Sequence, residues 1–175
     1  MRKVSYGAAV SLDGYIAGPG EAMDWLRWSD DAARVSAAGW EGVDTILMGR
    51  KTHDFALRNG GGQSPPGVKA YVFSRSMTDA PEGAELVRED AVAFVRNLKS
   101  SPGGNIMVMG GGELGSSLLE GGVVDAVEIN IHPILLGGGT PLFRPVPSRI
   151  ELDLMSSRPI DRGCLVAHYR VVSSG

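Results

Sequence analysis

Two junctions in this sequence carry residues suited to gripping an anion. In one, Ile106-Met107-Val108-Met109 runs straight into Gly110-Gly111-Gly112-Glu113-Leu114, and Leu118 and Leu119 follow at helical spacing. A continuous apolar run predicts a strand buried on both faces. Glycines at its carboxyl end let the backbone approach a ligand, and the next helix aims its free N–H groups and positive dipole end at the same point. That chemistry suits a phosphate or pyrophosphate. The other junction, Thr45-Ile46-Leu47-Met48-Gly49-Arg50-Lys51-Thr52, has the same form with two cations added. Cations at a helix start oppose the dipole, a conflict that a bound anion relieves, and the Arg50 guanidinium is a fork matched to phosphate oxygens.

Ser74-Arg75 closes the next strand with a hydroxyl and another guanidinium. Together these positions predict a nucleotide cofactor. With cations and no carboxylate beside Arg50 and Arg75, the pattern favours the 2′-phosphate of NADP(H) over the ribose hydroxyls of NAD. Two plainer readings stay open: a tight strand–helix turn for the three glycines, and solvated surface cations for Arg50 and Lys51. A Rossmann glycine fingerprint is absent, because the first strand leads into Ser11-Leu12-Asp13-Gly14-Tyr15.

The elements that position these junctions follow from periodicity. Strands are predicted over Lys3–Val10, Thr45–Met48, Ala70–Phe73 and up to Met109, with helices from Ser29 as N-cap to about Ala38, over Arg50–Leu57 and over Ala91–Lys99. Ser11–Asp24 reads as a long loop with glycine hinges, and Asn59–Gly67 as the most loop-like stretch. Val127, Ile129 and Ile131 alternate with Glu128, Asn130 and His132, and period two returns at Ile150, Leu152, Leu154 and at Leu165, Ala167, Tyr169, Val171. Such alternation predicts half-buried strands. Strands alternating with helices early favour parallel pairing, and the strand-rich end favours antiparallel additions. The 175 residues fit one α/β domain spanning 1–175, with a central mixed, mostly parallel sheet.

Composition excludes several function classes. A net charge of -3 gives no basic face for nucleic acid or anionic lipid. One cysteine, Cys164, leaves no intramolecular disulfide and no cysteine-built metal site. The three histidines, His53, His132 and His168, form no metal-ligand spacing. No apolar run approaches the ~20 residues of a membrane helix, and the stretch after Met1-Arg2-Lys3 is too short for a secretory signal. A cytoplasmic location is the expectation.

The motifs also occur in a familiar order. Ala8-Ala9-Val10-Ser11-Leu12-Asp13-Gly14-Tyr15-Ile16-Ala17, Met23-Asp24-Trp25-Leu26, the Gly49-Arg50-Lys51-Thr52 junction, Val72-Phe73-Ser74-Arg75 and Met107 to Leu114 together resemble dihydrofolate reductase-like proteins. Ile131-His132-Pro133-Ile134-Leu135-Leu136-Gly137-Gly138-Gly139-Thr140-Pro141-Leu142-Phe143 is closer to the C-terminal reductase domain of bifunctional riboflavin-biosynthesis enzymes and their stand-alone relatives. The resemblance covers nearly the whole chain. It implies a single-domain dihydrofolate reductase-like fold binding NADPH across the carboxyl ends of the strands. Gly49, Arg50, Lys51, Thr52, Ser74 and Arg75 would take the adenosine half, and Met109 with Gly110–Leu114 (Gly111, Gly112 and Glu113 included) the pyrophosphate. Ala8, Ala9, Ile16 and Ala17 would line the nicotinamide side beneath a lid carrying Gly18 to Met23.

On the substrate side the resemblance points to Asp30 as a carboxylate near the start of the first helix that helps deliver a proton. Its alternative is ordinary stabilisation of the helix start after the Ser29 cap. Ser11, Asp13 and Trp25 are expected to face the substrate, although Asp13-Gly14 also suits a simple turn. Met109 stands where riboflavin-pathway reductases place an acidic residue, and nothing in the sequence matches the zinc-binding deaminase that accompanies them. The implied activity is hydride transfer from NADPH to a small heterocyclic or carbonyl substrate, with a homodimer as the assembly. Two rivals stand beside it: an NADPH-binding module without turnover, and a homodimeric scaffold in which the alternating C-terminal strands and the Gly137-Gly138-Gly139 loop build a subunit interface.

Overall fold

Unbroken apolar runs become the inner strands of one sheet, and alternating segments become its outer strands. The fold is seen in a computed structural model that describes residues 1–60, 64–79, 81 and 83–172. Residues 61–63 of the expected 59–67 loop, and the last three residues of the 1–175 domain, lie outside the described residues. In chain order the elements are β1 (Val4–Ser11), β2 (Tyr15–Ala17), α1 (Asp30–Gly39), β3 (Val43–Gly49), α2 (Arg50–Arg58), β4 (Lys69–Phe73), β5 (Glu85–Val87), α3 (Ala91–Ser100), β6 (Asn105–Met109), α4 (Gly112–Glu120), β7 (Ala126–His132), β8 (Thr140–Pro141), β9 (Leu152–Ile160) and β10 (Cys164–Val171).

The main sheet has eight strands in the order β5-β4-β3-β6-β1-β7-β10-β9. Pairing is parallel from β5 through β7, and β10 runs antiparallel to both β7 and β9. β2 and β8 form a separate two-stranded pair. This is the mixed α/β architecture the sequence predicts, with β5, β2 and β8 as additions.

Successive strands present opposite faces. One face of the sheet joins Val4, Tyr6 and Val10 of β1 to Val127 of β7, Val95 of α3 and Leu114 and Leu118 of α4 in the main core. On the other face α1 packs Ala32 against Ile160, Cys164 and Val166. The chain therefore leaves β6 toward one face and β1 toward the other. Where neighbouring strands send their connections to opposite faces, a crevice opens at their carboxyl ends.

The amino-terminal ends of the strands are closed by ion pairs. Arg2, buried, contacts Asp44 and donates to the Gly104 carbonyl at 2.7 Å and to Thr45 Oγ1 at 2.6 Å. Lys99 Nζ reaches both Asp125 oxygens at 2.7 Å, and Asp125 Oδ2 accepts the Val4 N–H at 2.8 Å.

Period two in the tail predicts β9 to be half-buried, and the fold departs from that. Leu154 is 56% exposed and Met155 61%. β9 is the outermost strand, and apart from Ile160, which packs against α1, its apolar side chains are left exposed.

Candidate active site

The crevice gathers both glycine junctions. α2 starts after Gly49 and α4 after Gly111, and neither N-cap residue makes a side-chain capping bond. The two other α-helices differ: Ser29 Oγ caps α1 by accepting the Ala32 N–H, and Asp90 caps α3 by accepting the Ala93 N–H. A helix start without a side-chain cap leaves its first-turn N–H groups for water or a ligand. The two starts converge, since a Cβ built on Gly111 would lie 3.2 Å from Thr52 Oγ1. Gly110 and Gly111 have φ of 58° and 81°, a backbone conformation glycine adopts without strain. Gly112 is glycine for another reason: a Cβ there would overlap the Pro141 carbonyl oxygen.

Beside α2 lies a pocket of about 320 Å³ lined by Arg50, His53, Asp54, Ser76 and Thr78 among others. Arg50 is exposed and held loosely, with Nε 3.3 Å from Asp54 Oδ2 and Nη1 3.4 Å from Ser76 Oγ. Lys51 and Arg75 are exposed. Ser74 Oγ accepts the Met77 N–H at 3.1 Å, which shapes the turn after β4. Glu113 is exposed and lies 3.7 Å from Arg144. The side chain of Leu114 belongs to the core, so only its backbone remains for a ligand.

The expected lid enters from β1. Ser11 is 1% exposed, its hydroxyl donating to Asp13 Oδ1 at 2.6 Å and accepting the Tyr15 N–H at 2.9 Å. Asp13 in turn accepts the N–H groups of Leu136 at 3.1 Å and Gly137 at 2.8 Å. The Ser11 hydroxyl, with the Gly137 and Leu136 amides, holds the Asp13 carboxyl below its ordinary range. Both residues thus tie the lid base to the 134–141 loop. That loop carries β8, which pairs with β2, and a Cβ on Gly139 would overlap the Ala17 carbonyl. Gly139 thus lets the loop lie close against the lid base. The lid tip reaches across to α2, where Arg58 donates to Glu21 Oε2 at 2.8 Å.

Trp25, buried, packs edge-on to His132 with ring centroids 5.3 Å apart. His132 is 2% exposed, and its Nδ1 accepts the Arg27 N–H at 3.1 Å. The imidazole thereby anchors the segment that leads from the lid into α1. Burial, reinforced by the Arg27 charge, pushes its pKa below the ordinary value. The unfolded chain therefore takes up this proton first. Stability is complete above the unfolded pKa of about 6.5 and declines as pH falls through it. We expect the urea midpoint to drop between about pH 7 and 5, and His132→Gln to flatten that drop; a parallel drop in the variant would remove His132 as the cause. Asp30 sits exposed at the start of α1, next to the Ser29 cap.

A family model described as the RibD C-terminal domain matches residues 2–166. The chain belongs to the RibD C-terminal domain family. It is 31% identical to uncharacterized protein YyaP of Bacillus subtilis (strain 168), over 97% of this chain and 95% of that one. A solved Shewanella sp. PV-4 protein, named for riboflavin biosynthesis, superposes with a TM-score of 0.86 at 28% identity, covering 98% of this chain and 99% of that one. Dihydrofolate reductase from Enterococcus faecalis, solved with NADP(H) and RAB-propyl, aligns with a TM-score of 0.72 at 15% identity, covering 98% and 97%. At that identity the likeness speaks to the fold, which is dihydrofolate reductase-like. RibD C-terminal membership and this fold support a reductase-type function. Among the described residues no helix is long and apolar enough to cross a membrane, and no cluster of candidate metal ligands is present.

Within this RibD C-terminal domain Gly49–Thr52, Ser74, Arg75 and Gly110–Glu113 lie at the carboxyl ends of β3, β4 and β6, along one rim of the sheet. Ala8 and Ala9, in β1, and Ile16 and Ala17, in β2, are all half-buried. Sequence reasoning passed over Asn130. Alternation put it on the polar side of β7, yet that side faces α1 rather than open solvent. Its place in β7 is between Glu128 and His132, on a strand that ends in the buried His132.

Proposed function

We propose that this protein is an NADPH-dependent reductase that passes a hydride to a small heterocyclic or carbonyl substrate. The observation that carries the reading is the meeting of two uncapped helix starts at Thr52 and Gly111, with the Arg50 pocket alongside. The residues fit the group. The amides of Gly110–Leu114 and the Thr52 hydroxyl would hold the pyrophosphate, and Arg50 with Arg75 and Ser76 the 2′-phosphate, displacing Asp54 from Arg50. Ala8, Ala9, Ile16 and Ala17 would wall the nicotinamide. When bound, NADPH supplies the hydride.

The chain does the rest. β2, held by β8 and the Asp13 clamp, covers the crevice, and the Glu21–Arg58 contact closes the lid over it, excluding water. Exposed Asp30, beside the lid exit, is the carboxylate we assign to proton delivery. The apolar side chains of β9 suit a homodimer interface, as an exposed apolar edge is otherwise an aggregation hazard.

A parallel titration of the protein with NADPH and NADH, followed by tryptophan quenching, tests the reading. NADPH should bind at least about tenfold tighter, equal to ~1.4 kcal/mol, and sedimentation of the same sample should give a dimer. Folded protein that binds neither nucleotide would sink the reductase assignment.

A further inference from the structure

β7 carries an unpaired polar group into the interior beside the crevice. The Oδ1 of Asn130 is shielded from solvent and has no hydrogen-bond partner. Which end of a carboxamide points inward is a matter of assignment, but either end is then an unmatched hydrogen-bonding atom. Leaving such a group unpaired costs about 1–3 kcal/mol, and folded chains keep few of them.

Its neighbours on β1 are small. Asn130 pairs in register with Ala9 of β1 and Val166 of β10, so all three share one face. That is the face of α1, because Val166 packs on Ala32. On the same face β1 presents only Ser5, Gly7, Ala9 and Ser11, none larger than serine, while Met107 and Met109 of β6 stand in register with Ser5 and Gly7 on the far side. This face therefore carries a carboxamide on one side of β1 and thioethers on the other. The carboxamide adjoins Ala9, which lines the nicotinamide in the proposed function, and the inference rests on that reading for its catalytic meaning.

We infer that Asn130 is a substrate-orienting residue: its carboxamide pairs with a neutral ring edge that presents an N–H beside a C=O, a lactam, and so sets the ring against Ala9. A carboxamide offers one donor and one acceptor side by side, and a lactam returns the complement. Thioether walls suit the faces of a flat ring. The carboxamide itself brings no countercharge, so the group it pairs with is taken to be neutral.

The test uses ¹⁵N-labelled protein titrated with pyrimidin-4(3H)-one, with and without saturating NADPH. Its N3-methyl derivative, which lacks the donor, serves as the control. The side-chain amide pair of Asn130, assigned by its absence in Asn130→Asp, should shift with the lactam and not with the methylated ring. Asn130→Leu should bind the lactam at least about tenfold more weakly, keep its NADPH affinity, and melt at the same or a higher temperature, since an unpaired polar atom has been removed. If the leucine variant does not fold, Asn130→Ser should show the same loss of lactam binding. Equal lactam binding by the variants, or no shift of the Asn130 amide, overturns the proposal. So does a lower melting temperature with lactam binding intact, which marks the carboxamide as structural. Failure of wild-type protein to bind NADPH sinks the cofactor reading instead, and the titration without NADPH still decides Asn130.

Discussion

Replacing Arg50 and Arg75 together with alanine should weaken NADPH binding roughly 100-fold while changing NADH binding by no more than about threefold. Charge-assisted hydrogen bonds contribute about 1.5–3 kcal/mol each, and exposure lowers that through solvent and salt. Two such contacts, discounted for the exposure of both side chains, still amount to about 2.7 kcal/mol, or two powers of ten. Selectivity is the point of the comparison. A loss shared equally by both nucleotides would place the two arginines elsewhere than at the 2′-phosphate. Raising salt should narrow the gap between NADPH and NADH in the wild type, because the discriminating contact is ionic. Arg50→Ala alone should also free Asp54, whose carboxylate shares the pocket.

Gly115→Ala should be among the most damaging single substitutions. Gly115 lies in α4 against the ring of Tyr6, which is fully buried and whose hydroxyl donates to the Leu142 carbonyl at 2.7 Å. A Cβ at position 115 would occupy the space of that ring. The hydroxyl anchor prevents Tyr6 from swinging aside, so α4 must move, carrying the Gly110–Gly112 turn with it. Overpacking of a tight core costs about 1–3 kcal/mol, occasionally more, and we expect the upper end, read as a lower urea midpoint at unchanged slope. Pairing Gly115→Ala with Tyr6→Leu should recover part of the loss, since the second change removes the obstructing ring. Purely additive losses would mean that Gly115 matters for some reason other than Tyr6.

Much of this was legible in the residues because the signals are local. Ser29 announced α1, unbroken apolar runs announced β3, β4 and β6, and glycines after an apolar run announced the turn into α4. What escaped depends on contacts distant in sequence. β5 is three residues long, too short to show a period, and β2 and β8 exist only because each supplies the other's partner. Asp13 read as a candidate substrate group because a carboxylate near a strand end is chemically suggestive. Its oxygens are taken by amides more than 120 residues away, at 136 and 137. Alternation in β7 and β9 separated polar from apolar sides correctly but could not say what would cover each. One polar side lies under α1, and one apolar side is bare.

The ion pairs of Arg2 with Asp44 and of Lys99 with Asp125 all sit at the end of the sheet away from the crevice. Amides there should exchange with solvent only when the whole molecule unfolds, while those from Ser11 onward and around Gly110 should exchange through small local openings. Such a pattern would mark the protein as stiff at the end its ion pairs close and compliant at the rim proposed to hold the nucleotide. A ligand held at that rim would come and go through a loosening of the rim alone, with no need for the eight strands beneath to part.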